Sequence, residues 1–180
     1  ENQPEVEVVE QSLEHIDLLR VNHSRIDLVE QVLRNFNKKK KRQRRAEFER
    51  EANAYTLLGE IYASINQNQL ALQRYQQAVE IWKKSRGNPV PESELYYRIG
   101  QLYLKEKDAK EAEVNFSRCA IITKDKTLKQ LCEEGLADVE LLRGNVAQSF
   151  KKLDSIESKY ELDSLGQSRI SANVRKVMLK

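Results

Sequence analysis

The sequence predicts an all-α chain built of stacked helical hairpins. Three observations carry this reading. First, one constellation occurs twice: Tyr55, Leu58, Gly59, Tyr62, Ala71, Tyr75 and Ala78, then Tyr96, Ile99, Gly100, Tyr103, Ala112, Phe116 and Cys119. The internal spacings are identical, and the two glycines stand 41 positions apart. Self-similarity at such a period is the mark of helical repeats, in which each hairpin buries its apolar face against its neighbours. Second, three prolines and six glycines in 180 residues leave room for long helices. Third, no alternating apolar run is long enough to argue for a strand.

The elements follow in order along the chain. Val6–Leu19 and Ile26–Phe36 carry apolar residues at helical spacing. A polar Asn22-His23-Ser24 turn is expected between them, making residues 5–44 a degenerate first repeat. The first strong repeat occupies 45–86. Its aromatic, Leu, Gly and second aromatic share one stripe of a first helix, helix A. Gly59 lets a neighbouring helix approach, at a cost of about 1 kcal/mol relative to Ala in a helix interior. A polar turn, Asn66-Gln67-Asn68, leads into helix B. There small Ala71 permits close approach and Tyr75 fills the space beside the glycine.

An Arg86–Pro91 loop, holding Gly87, Asn88, Pro89 and Pro91, is expected between the strong repeats. The second strong repeat, 92–125, repeats the logic with Gly100, a Lys107-Asp108 turn, Ala112 and Phe116. Gly144-Asn145 then reads as the turn of a third, degenerate repeat over 127–158. Alignment on that turn puts Ala137 at the glycine position, with Ser149 and Leu153 at the helix-B core positions. Ser168–Lys180 begins a further helix over 167–180, with Ile170, Val174, Val177 and Met178 as its apolar stripe. All of this is expected to form one domain over 1–180.

The paired constellation resembles the tetratricopeptide repeat (TPR) family over Ala52–Asp125. That family's W-x2-L-G-x2-Y…A-x3-F…A signature stands here as Y-x2-L-G-x2-Y…A-x3-Y-x2-A and Y-x2-I-G-x2-Y…A-x3-F-x2-C. The chain departs from it in carrying Lys83 and Lys124 where a proline is usual, and in a period longer than 34 residues. The resemblance implies a right-handed superhelix of antiparallel helix pairs, a TPR-like α-solenoid, acting as a non-catalytic interaction scaffold. The long-period form is similar to arrays in bacterial signalling proteins and several eukaryotic adaptors, so a regulatory or sensory segment of a larger signalling protein is expected. A start at Glu-Asn-Gln-Pro fits an excised segment or a processed chain.

The resemblance also implies a ligand groove on the free face of the A helices. Carried over position by position, it takes Asn53, Thr56 and Glu60 from the first strong repeat. The second gives Tyr97, Gln101 and Lys105, and the third gives Glu134, Asp138 and Leu141. This mixed polar face suits an extended peptide or helix, with Tyr97 as aromatic anchor. Glu60 would repel a chain-terminal carboxylate, which argues against the chaperone clamp of some family members. A protein or peptide partner is thus expected, with a homodimeric or purely structural module as the alternative.

Lys38, Lys39, Lys40, Lys41, Arg42, Arg44 and Arg45 form a basic run. Its seven charges exceed the net +3, so the rest of the chain is net negative. A solvated helix extension is the plain reading, helped by Glu47, Glu49 and Glu51 at pairing distance. Contact with an acidic partner ranks second. Nucleic acid or anionic membrane ranks last, because no stacking aromatics are interleaved with the run.

Cys119 and Cys132 are read as packing thiols, with a mutual disulfide as the alternative. Without C-x2-C spacing they do not suggest zinc, and His15 and His23 do not suggest a metal site. No phosphate loop and no recognisable nucleophile setting is present, so neither an enzyme nor a cofactor is expected. With no run of about 20 apolar residues and no signal-peptide pattern, a cytoplasmic setting is expected.

Overall fold

The structure is a computed structural model describing residues 21–34, 45–85 and 89–160. Among these residues every element is an α-helix: α1 (residues 21–34), α2 (Arg45–Ser64), α3 (Asn68–Ser85), α4 (Pro89–Lys105), α5 (Ala109–Ile122), α6 (Lys126–Leu142) and α7 (Val146–Lys159). The chain divides into two compact units, Glu1–Arg86 and Gly87–Lys180. None of the described helices is long and apolar enough to cross a membrane.

In the first unit, α2 and α3 are the A and B helices of one hairpin. Leu58, Ala71 and Ala78 are fully buried, and Tyr75 is 2% exposed. Any Cβ on Gly59 would collide with the Tyr75 ring, which is why the sequence needs glycine there. Trp82, on the last turns of α3, is also buried. Helix α1 departs from expectation. Asn22, His23 and Ser24 are not a turn but lie inside the helix. Asn22 is 4% exposed and shares the buried stripe of Ile26, Val29 and Leu33, at i, i+4, i+7 and i+11. That periodicity overrides the turn preference of the Asn-His-Ser composition. Arg74 of α3 donates to Glu30 of α1 at 3.4 Å.

In the second unit, α4–α5 and α6–α7 are successive hairpins, and the two A helices, α4 and α6, also touch. Helix α4 begins at Pro89, so Pro89 and Pro91 open a helix rather than fill a loop. Proline suits the first turn, whose amides have no partner in the helix. Residues 86–88 lie outside the described residues, as do the expected helices at Val6–Leu19 and Ser168–Lys180.

The three A-to-B turns are alike. Asn66, Lys107 and Gly144 adopt positive φ of 60°, 62° and 81°. In each, that residue's amide and the next close paired bonds onto the end of helix A: Asn66 to Ala63 and Gln67 to Tyr62, Lys107 to Leu104 and Asp108 to Tyr103, Gly144 to Leu141 and Asn145 to Glu140. This is the Schellman closure, which satisfies carbonyls the helix leaves open. The same closure recurs at Gly144, between α6 and α7. The 41-residue period shortens to 37 between Lys107 and Gly144. Helix α3 has 18 residues against 14 in α5, so the difference is about one extra turn of helix B.

Candidate functional site

The core of the second unit sets the geometry of its A-helix face. Phe116 of α5 is 1% exposed and lies between two glycines on different helices. A Cβ on Gly100 of α4 would lie 2.9 Å from its ring, and one on Gly135 of α6 would lie 2.6 Å away. Both helices therefore approach the ring as only glycine allows. Repeat spacing does not pick out Gly135, which falls two positions off the register. Its one signal is a glycine inside an otherwise helical pattern.

Cys119 lies one turn after Phe116, and Cys132 nearly one turn before Gly135. Both are fully buried. They are joined in a disulfide with Cα atoms 6.2 Å apart, which corrects the reading of them as packing thiols. A 13-residue separation does not reveal this pairing. The close approach of α5 and α6 around Phe116 and Gly135 brings the sulfurs together.

Tyr97 rests on this core. Its ring centroid is 5.9 Å from that of Phe116, tilted by 56°. Tyr97 is half-buried against Phe116, Ala112 and Val139. Its hydroxyl accepts a hydrogen bond from Gln101 Nε2 at 2.8 Å. Gln101 and Lys105, one and two turns further along α4, are exposed. The result is an anchored ring with an ordered polar tip beside two exposed polar side chains.

On α6 the expected face divides. Asp138 and Leu141 are half-buried. Glu134 is 5% exposed and accepts a hydrogen bond from Gln130 Nε2 at 2.9 Å, so it offers little surface to a ligand. In the first unit, Asn53 is exposed, Thr56 is half-buried and donates to the Ala52 carbonyl at 2.9 Å, and Glu60 is half-buried. In the basic run, Lys38, Lys39, Lys40, Lys41, Arg42 and Arg44 lie outside the described residues, while Arg45 opens α2.

Charged groups also tie α5, α6 and α7 of the second unit to one another. Arg143, after α6, bonds the Glu113 carboxylate of α5 and lies 3.9 Å from Glu140. The Arg143 hydrogen bond holds the Glu113 carboxyl below the ordinary carboxylate range, and the same bond raises Arg143. Lys159 Nζ reaches Glu133 at 2.6 Å, tying the end of α7 back to α6 and raising the lysine.

Comparisons with known proteins agree with this architecture. A search of curated proteins returned no match. Among solved structures, the chain is similar to TPR-like repeats of a Podosopora anserina protein described as a kinesin light chain. The TM-score is 0.62 at 16% identity, covering 99% of this chain and 97% of that one. A point variant of the same repeats gives 0.61 at 16% identity, covering 93% and 94%. At that identity the likeness is one of fold. The description "Tetratricopeptide repeat" belongs to the family whose profile matches residues 50–125. That span holds both copies of the duplicated constellation, the glycine-against-ring packing of each hairpin and two of the three Schellman turns, and over it the chain matches the tetratricopeptide repeat family.

Proposed function

We propose that this chain is a non-catalytic interaction scaffold. It holds a peptide or helix of a protein partner on the A-helix face of the second unit, centred on Tyr97 and Gln101. Repeats of this family are in general protein-interaction modules. The observation that carries the finer reading is the setting of Tyr97. Its ring is fixed by Phe116 while its hydroxyl and Gln101 stay near the surface. A rigid aromatic with a polar tip supplies contact area at little entropic cost, as binding anchors do. Lys105 and Asp138 add charges of both signs along the same face, which suits the backbone and side chains of a mixed-polarity segment. Asn53, Thr56 and Glu60 hold comparable A-helix positions in the first unit, which would offer a face of its own. The setting that fits is a regulatory or sensory segment of a larger signalling protein.

Displayed-peptide selection against the chain tests this. Selected peptides should lose affinity about tenfold or more for Tyr97→Ala combined with Gln101→Ala, with far-UV circular dichroism unchanged. Equal affinity for the variant overturns the assignment. Self-association that survives the substitutions, with no peptide selected, would favour the purely structural or dimerising module.

A further inference from the structure

A second opening lies in the same unit, within the α6–α7 hairpin. There the packing leaves a pocket of about 460 Å³. The repeat register explains its origin. In the preceding hairpin, Tyr96 is 6% exposed and Arg118 lies over its ring at 5.6 Å from the centroid. The same register positions in the third repeat hold Glu133 and Ser155, and both line the pocket. A ring and the guanidinium covering it have been replaced by a short acid and a hydroxyl. Glu133 does not refill the space with an apolar group; its carboxylate is drawn to Lys159.

The remaining walls define a ligand. Leu136 and Ile156 supply apolar surface, and Gln148 supplies an amide. Lys151 and Lys152 line the opening and are exposed; Lys152 also feels the Glu113 carboxylate, whose own hydrogen-bond partner is Arg143. With Glu133 offset by Lys159 and Glu113 by Arg143, the two lining lysines leave the opening net positive. A cavity of about 150 Å³ already accommodates a benzene ring, so this one has room for an aromatic side chain and its adjoining backbone.

We propose that this pocket docks an aromatic side chain of a partner peptide bearing carboxylates beside that ring. The ring takes the place that Tyr96 fills in the preceding repeat, packing on Leu136 and Ile156. The flanking carboxylates meet Lys151 and Lys152. None of these residues belongs to the Tyr97 face, so failure of either assignment leaves the other standing.

The test uses the full chain and a fluorescein-labelled peptide with one phenylalanine between glutamates, read by anisotropy. Saturable binding is expected. Exchanging the phenylalanine for alanine, or the glutamates for lysines, should weaken it about tenfold or more. Glu133→Tyr with Ser155→Arg rebuilds the filler of the preceding repeat and should abolish binding. Lys151→Glu with Lys152→Glu, both on exposed surface, should weaken it about tenfold and remove its salt dependence. If the refilled variant does not fold, the lysine pair and the alanine peptide decide. Absence of saturable binding, or equal binding to the alanine peptide or the refilled variant, overturns the proposal. Self-association removed by the refilling substitutions, without peptide binding, assigns the pocket to a second copy and overturns it equally.

Discussion

The hairpins α4–α5 and α6–α7 share one register and fill it differently. In α4–α5 the A helix gives up its side chain at Gly100 and the B helix supplies a large ring, Phe116. In α6–α7 the A helix keeps a methyl at Ala137, and the B helix answers with the smaller Leu153 and with Ile156. Complementarity is preserved while each residue changes. Other positions are less well matched. Ala112 gives way to Ser149, which is 1% exposed with a hydroxyl that has no hydrogen-bond partner among the described residues. Conversely, Lys107 must adopt the positive φ that Gly144 accepts freely. Tyr96 with its Arg118 cover gives way to Glu133 and an open pocket. Register is thus a backbone property, and volume, polarity and cavities are decided position by position.

Substitutions can press on this difference. The largest effect is expected at the ring. Phe116→Ala should cost about 4 kcal/mol in urea denaturation and Leu153→Ala about 3 kcal/mol, because the first leaves two glycine-lined helix faces without a partner. Equal midpoints for the two variants would mean that the helices collapse around the gap at Phe116. Reduction comes next. The Cys119–Cys132 bond ties the second repeat to the third across a short loop, so reducing it should lower stability by about 3 kcal/mol. Thiol counting checks the premise: two titratable thiols in the unreduced, unfolded chain would refute the bond.

Two changes should make each hairpin more like the other and raise stability. Ser149→Ala removes an unpaired buried hydroxyl, and Lys107→Gly relieves an αL residue. Each is expected to gain about 1 kcal/mol, read as a higher urea midpoint at constant slope. A loss at Ser149 would show that its hydroxyl has a water or backbone partner.

The smallest effect concerns the brace between the hairpins. The Glu113 carboxyl is held low by Arg143, so its contribution is present above the ordinary carboxylate value of 4.5 and lost as pH falls through the depressed one. Wild type should therefore lose more stability than Glu113→Gln below about pH 4.5. Parallel acid titrations would remove the brace from the account.

Repeat register was legible because it is a spacing rule. Identical offsets in two copies, carried to a third through Gly144-Asn145, pick out Ala137, Ser149 and Leu153, which the structure buries together with Ile156. Periodicity was legible and composition was not: Asn22-His23-Ser24 and Pro89-Val90-Pro91 look like turns yet lie in helices. Features that depend on two elements meeting left no trace in spacing. Gly135 matters only because Phe116 reaches it, and Tyr97 is anchored only because Phe116 is underneath. The spacing of helix A names the groove positions but not how deeply neighbours bury each one, so it does not set Glu134, 5% exposed, apart from exposed Asn53.

Local periodicity and backbone preference were enough to give the all-α class, the turns at Asn66, Lys107 and Gly144, and the inward positions of the hairpins they close. Tertiary structure decided the Cys119–Cys132 bond, the second glycine against Phe116, the anchored Tyr97 and the cleft opened at Glu133. Each requires two helices at a particular distance. That distance is set by the volumes packed between them, and no single helix encodes it.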